Sequence, residues 1–275
     1  MTGSARLDLY RFGGDSLQGR YYYLKLHPLS LKEIKGSSQN DVDALMKFGG
    51  FPEPFLGGSE SRAKRWSAEY RNRLTRDEIL SLETIKDIGS LDLLHLSLPE
   101  RVGSPLSINS LREDLNLNHQ TVSRWLDILE RIYGIFRISP FGAPKIRAVK
   151  KEQKHYHFNW ISIPDVGPRF ENMVACHLLK WVDYQFDTEG REIELRYFRD
   201  VDKREVDFVL VEHKKPILAV ECKLNESTIS PSLKYFKEKF PAVRAVQVAY
   251  KDTPSKIHPN GIELKSARTF LNELI

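Results

Sequence analysis

The chain changes its hydrophobic period several times, and each change marks an element. From Asp41 to about Leu98, apolar residues recur at three- and four-residue spacing, as in "SRAKRWSAEYRNRLTRDEILSLETIKDIGSLDLLHLSL", which predicts two or three helices. Ser107 heads a short helix reaching about Glu113, a tight turn follows at Leu115 to Leu117, and Asn118 caps a second helix that turns Val122, Leu126 and Leu129 inward. That spacing is a helix-turn-helix. Two strand-like runs come next, "GIFRISP" and the basic "KIRAVKKEQKHYHF", separated by a turn at Gly142 to Pro144, so the unit reads as a winged helix.

Beyond Pro164 the period lengthens again. A helix opens near Pro168, where a missing N–H costs nothing, and carries Phe170, Val174, Leu178 and Trp181 as its apolar stripe. "LRYFRDVDKREVDFVLVEHKKPILAVECKL" then alternates with period two as a strand, a polar turn and a hairpin. "SLKYFKEKFPAVRAVQVAY" adds a helix and a strand, with Tyr235, Phe236 and Phe240 read as core. The expected fold is a multi-domain α/β (α+β) chain: residues 1–35, a helical linker over 36–88, a winged-helix-like unit over 89–160, and a mixed-sheet α/β domain over 161–275. Residues 1–35 combine "RFGGDSLQGR" with the strand-like "RYYYLKLHPLS". Neither closes a core alone, and they read as the tail of something larger.

Composition narrows the setting more than the function. Lys and Arg number 42 against 37 Asp and Glu, a mildly basic balance that permits a polyanionic partner without requiring one. Arg62, Lys64, Arg65, Arg71, Arg73 and Arg76 cluster on the predicted helices, where a solvated face or a protein contact is favoured over phosphates. Cys176 and Cys222 lie far apart, so neither a disulfide framework nor a structural zinc site is suggested, and a reducing cytoplasm fits best. No apolar run reaches bilayer length and no hydrophobic signal segment opens the chain, so a soluble protein without a membrane partner is expected. His155 and His157 share a face of their strand and read as surface residues, while Cys222 falls on an apolar face as a small core residue.

The hairpin poses the chemical question. Centred on Lys214, it places Asp207 opposite Glu221, with Lys223 on the same face and Val206, Phe208, Leu210, Leu218, Val220 and Leu224 on the other. Like charges directly opposite on a sheet destabilise it by about 0.2–1 kcal/mol, and by more when shielded from water. A hard divalent cation reverses the sign of that interaction, because magnesium prefers carboxylate oxygens and commonly binds one or two of them plus water and phosphate. Glu171 on the preceding helix then becomes a third carboxylate, the Cys222 backbone carbonyl a further oxygen, and Lys223 a group to orient water and offset charge on a phosphate. The competing reading is a structural triad in which Lys223 neutralises one carboxylate and solvent covers the other.

The winged helix offers a second candidate surface. On DNA, His119, Gln120, Ser123 and Arg124 would enter the major groove, with Lys145, Arg147, Lys150 and Lys151 on backbone phosphates. The alternative is that the unit packs against its neighbours or a protein partner.

Helical Glu171, then Asp207, then Glu221-Cys222-Lys223 on the next strand resembles the PD-(D/E)XK nuclease superfamily. "PLSLKEI", "GGFPEPF", "TVSRWLDILERIYGIFRISPF", "RFENMVACHLLKW" and "ELRYFRDVDKREVDFVL", in that order, resemble the C-terminal region of a family of bacterial and archaeal AAA+-type ATPases whose C-terminal domain is a nuclease-like domain of unknown function. The resemblance implies a magnesium-dependent nuclease centre at Glu171, Asp207, Glu221 and Lys223, DNA as the favoured partner, and ATP only in full-length relatives. It also marks a departure: the G-x-x-x-x-G-K-[ST] loop and acidic strand of such ATPases do not occur here. What remains looks like the sensor strand, with Arg20 placed as a nucleotide-contacting arginine. The chain is expected to be a truncated product or one part of a split protein, with no ATP hydrolysis of its own. Three function classes follow: a nuclease, a non-catalytic nucleic-acid-binding or regulatory module, and an ATPase-associated interaction protein.

Overall fold

The computed structural model describes residues 24–75, 87–142, 153–225 and 228–275. Arg20, Arg76, Lys145, Arg147, Lys150 and Lys151 lie outside the described residues. Four helices, rather than two or three, occupy the first part of the described chain: α1 (Gln39–Phe48), α2 (Pro52–Gly57), α3 (Glu60–Arg73) and α4 (Ile88–Ser97). The additional short helix starts on Pro52, whose fixed φ suits a first helical turn. The strand-like reading of "RYYYLKLHPLS" does not hold for its described part: residues 24–30 join no strand, and Leu24 and Leu26 face solvent.

The helix-turn-helix forms as its caps dictate. In α5 (Ile108–Asp114) the Ser107 side chain accepts from the Ser110 N–H, and in α6 (His119–Arg131) the Asn118 side chain accepts from the Thr121 N–H. Each pairing satisfies an N–H that the helix itself leaves open. Between them Asn116 takes a positive φ of 52°, a conformation asparagine tolerates better than most residues. Val122, Leu126 and Leu129 pack with Leu91, Leu94 and Leu111 in a small core of their own.

One mixed sheet of eight strands runs through the rest, in the order β2-β1-β3-β4-β5-β6-β8-β7. Its members are β1 (Ile135–Pro140), β2 (Lys154–His157), β3 (Ile193–Arg199), β4 (Glu205–Glu212), β5 (Lys215–Lys223), β6 (Arg244–Ala249), β7 (Lys256–Ile257) and β8 (Ile262–Ser266). β3, β4 and β5 form an antiparallel meander, and β6 returns parallel to β5. Helix α7 (Val166–Glu189) covers one face over Phe208, Leu210, Leu218 and Val220, and α8 (Pro231–Lys239) covers the other over Val209, Val211 and Ala219. A last helix, α9 (Ala267–Glu273), follows β8 directly.

Two features depart from a modular picture. The described strands of the expected wing belong to the sheet: β1 pairs in parallel with β3, and all four residues of β2 are buried. The helical segment is likewise no free linker, since Leu31, Val42, Leu45 and Met46 belong to the same core as α7. The Trp160 indole N–H, donating to the Leu45 carbonyl at 2.8 Å, fixes α1 there.

Candidate functional site

The β4–β5 hairpin turns at His213 and Lys214, both with positive φ, the two-residue geometry that matches strand twist. Its register pairs Phe208 with Val220, as the alternation predicts, after a bulge between the Leu210 and Val211 pairs. A second irregularity matters more. On the β3 side, Arg196 pairs with Val209 but Phe198 with Val206, so three steps of β4 match two of β3. The extra residue breaks the alternation: Val206 packs with Val209 and Val211 in the α8-side core instead of joining Phe208 and Leu210. Asp207 is thereby set against the α7 side rather than beside Glu221 on a common outer face.

Past Phe208 and Val220 the two strands part, and a cleft of about 330 Å³ opens there. Glu171 and Phe170 of α7, Asp207 of β4, and Cys222 and Lys223 of β5 line it, together with the loop at Gly103. Its lining includes three of the four residues first singled out as catalytic. Glu221 keeps the parity of Ala219 and is 5 % exposed; its Oε1 accepts from Lys223 Nζ at 2.8 Å, while its buried Oε2 has no hydrogen-bond partner. Asp207 Oδ2 accepts from the Cys222 N–H at 2.8 Å. In an extended strand the N–H and C=O of one residue point the same way, so the Cys222 carbonyl is directed toward the same gap between the strands.

Lys154, at the start of β2, was not anticipated. It is completely buried, with Nζ 2.7 Å from Glu205 Oε1, 3.3 Å from Glu171 Oε1 and 3.8 Å from Asp207 Oδ1. The Tyr156 hydroxyl donates to the same Glu171 oxygen at 2.7 Å. Read as one basic residue of a wing strand, Lys154 carried a single usable signal, its period-two alignment with the core residue Tyr156. Burial alone would pull the lysine pKa down, but the charges of Glu171, Asp207 and Glu205 outweigh it and hold the value above the ordinary one. Asp207 moves up, first through burial and then through Glu171 and Glu221, with Lys154 and the Cys222 N–H compensating only in part. Lys223 is held above its usual value by Glu221 against its own burial. With Arg199 on the far oxygen of Glu205, four carboxyl groups face three cations.

A hard divalent cation would find oxygen donors here but, among the described residues, no enclosing set of side chains. Two cleft carboxylates and a directed carbonyl supply oxygens, and water or phosphate can complete the shell, as magnesium sites commonly require. Among the described residues no three His, Cys, Asp or Glu side chains stand close enough to enclose an ion by themselves. The ammonium of Lys154 stands among the carboxylates instead.

The remaining sequence candidates separate. His119, Gln120 and Arg124 are exposed along α6 and Ser123 is half-buried. His155 and His157 are not surface residues: they are 0 % and 3 % exposed, and burial lowers the pKa of His155 to about 4 and that of His157 well below the usual value. Their strand is at the edge of the sheet but is covered: His155 Nε2 lies 2.9 Å from the Leu98 carbonyl, and the His157 N–H donates to Asn172 Oδ1 at 2.7 Å. Cys222 packs against the α7-side core as expected. No helix among the described residues is long and apolar enough to cross a membrane.

Comparison with known proteins matches two family models, each described as a domain of unknown function: DUF8612 over residues 39–159 and DUF4143 over residues 166–269. An uncharacterized protein of Haemophilus influenzae is 24 % identical over 215 residues, covering 70 % of this chain and 51 % of its own length. The uncharacterized protein MJ1544 of Methanocaldococcus jannaschii is 22 % identical over 264 residues, covering 86 % of this chain and 58 % of its own. The chain thus spans a little over half the length of these relatives. No solved structure matches. The second family match contains Glu171, Asp207, Glu221 and Lys223.

Proposed function

We propose that the chain is the nuclease-like, nucleic-acid-associated part of an AAA+-type ATPase protein, with magnesium-dependent phosphodiester hydrolysis at the α7–β4–β5 cleft. The observation that carries this reading is the convergence of Glu171, Asp207, Cys222 and Lys223 on one cleft. The occurrence of the second matched domain in AAA-ATPase-associated proteins supports the broader assignment. Asp207 and Glu171 would hold the ion, which when bound supplies a Lewis acid for a phosphoryl oxygen. Glu221 orients Lys223, whose 40 % exposed side chain can offer its other ammonium protons to a phosphate at the cleft mouth. The exposed residues of α6 would seat a duplex, making the helix-turn-helix a guide for the cleft.

A second reading, a nucleic-acid-binding module without cleavage, is favoured by Lys154, which already neutralises much of the acidic cluster. The test is cleavage of labelled single- and double-stranded DNA and RNA with Mg2+ or Mn2+, comparing the chain with Glu221→Ala and Lys223→Ala. Cleavage by the parent, reduced at least ~100-fold in both variants, is expected of the nuclease. Salt-sensitive binding with no product in any of them would replace it with the second reading.

A further inference from the structure

We propose that Lys154 is a built-in counter-cation of the cleft, competing with the divalent ion for Glu171 and Asp207, so that strand β2, which carries it, sets the metal affinity of the carboxylates beside it. The inference rests on the metal reading above and assigns to it a regulating residue outside the residues 166–269 matched by the second family model.

Lysine is almost never fully buried without partners, and Lys154 has an unusual set: Glu205, Glu171 and Asp207 around Nζ, with the Tyr197 ring 5.6 Å away. Stability alone gives little reason for it, since a buried ion cluster replaced by apolar side chains is often as stable or more so. Glu171 and Asp207, two of the three carboxylates, are also the ones that line the cleft, whereas Glu205 is tied to Arg199 at 3.0 Å. An ion seated on a Glu171 or Asp207 oxygen contacting Lys154 is therefore close to the ammonium, far inside a Debye length, where like charges repel strongly. The lysine and the ion weaken each other's hold on the same oxygens.

The backbone of Lys154 belongs to the helix-turn-helix side of the molecule. It bridges to Pro105, and the Leu106 N–H donates to the Gln153 carbonyl at 2.8 Å just ahead of Ser107 and α5. The same connection lines the cleft at Gly103, whose positive φ of 84° lets the backbone pass Glu171: a Cβ there would stand 3.0 Å from Glu171 Oε2. Both a loop and a cation from one unit therefore touch the carboxylates of the other.

The test uses the whole chain and Mn2+ alone, with binding followed by electron paramagnetic resonance for the parent, Lys154→Met, and Lys154→Met combined with Asp207→Asn. Lys154→Met is expected to bind Mn2+ at least ~10-fold more tightly than the parent, with the gain lost in the double variant. Equal affinity in parent and Lys154→Met, still dependent on Asp207, would overturn the competition while leaving the metal site intact. Absence of binding in every variant would overturn the metal reading and this inference with it. Should Lys154→Met fail to fold, the parent decides: the Lys154 side-chain resonance in 15N-lysine-labelled protein is expected to shift on titration with Mg2+. An unchanged resonance through saturation, or no saturable Mg2+ binding, would overturn the proposal.

Discussion

Lowering the pH from 7 to 5 should destabilise the fold through His177, whose partners define its protonation state. Nδ1 lies 2.8 Å from the Met173 carbonyl and must carry the proton, whereas Nε2 accepts from the Leu31 N–H at 3.1 Å. A second proton would set a donor against a donor in a site that is 2 % exposed. Burial, opposed in part by the Met173 carbonyl, accordingly lowers the pKa from 6.5 to about 4. Because the folded value lies below the unfolded one, the unfolded chain binds the extra proton first, so stability is complete above pH 6.5 and is lost as pH falls toward 4. At pH 5 the difference is worth about 2 kcal/mol for this residue, against a few tenths at pH 7. Urea unfolding at the two pH values measures it: His177→Gln, which cannot titrate, should lose about 2 kcal/mol less than the parent between them. Equal losses in both proteins, or a His177 NMR titration centred near 6.5, would refute the reasoning.

Two smaller perturbations test other parts of the structure. Gly103→Ala combines a positive φ of 84° with a Cβ 3.0 Å from Glu171 Oε2, and should cost about 1–3 kcal/mol in urea unfolding; no loss would show that the loop lies elsewhere. Asn118→Ala removes the acceptor 2.7 Å from the Thr121 N–H and should cost about 0.5–2 kcal/mol, with Asn118→Ser recovering most of it; an equal loss in both would mean that the cap is not the cause.

The sequence made the local elements legible because their causes are local. Ser107 and Asn118 announce two helix starts by side-chain chemistry alone, and the Phe208–Val220 register follows from the alternation of one hairpin. The site was legible only as a set of residues. Its geometry depends on the β3–β4 mismatch between Arg196 and Phe198, which no property of β4 by itself reveals. The buried pair His155 and His157 was misread, and Lys154 missed, for a related reason. A basic run suggested a solvated wing, while the parallel pairing of Ser139 with Arg196 and Pro140 with Tyr197 draws that hairpin into the sheet. Long-range strand pairing decides burial there, and it overrides the polarity of the short strand.

That pairing also changes what the two matched regions mean physically. Arg137 on β1 is held by Asp127 at 2.6 Å and Glu130 at 2.5 Å from α6, so the second helix of the helix-turn-helix is clamped to a strand of the common sheet. β1 in turn pairs with β2, which begins at Lys154, and with β3, whose Tyr197 ring lies beside the Lys154 ammonium. α6 is therefore joined to the surroundings of the carboxylate cluster by ion pairs and backbone hydrogen bonds. The boundary between the two regions is a boundary of sequence families only. Mechanically, the cleft is built across it, because Glu171 and Asp207 come from one side while Lys154 and the Gly103 loop come from the other.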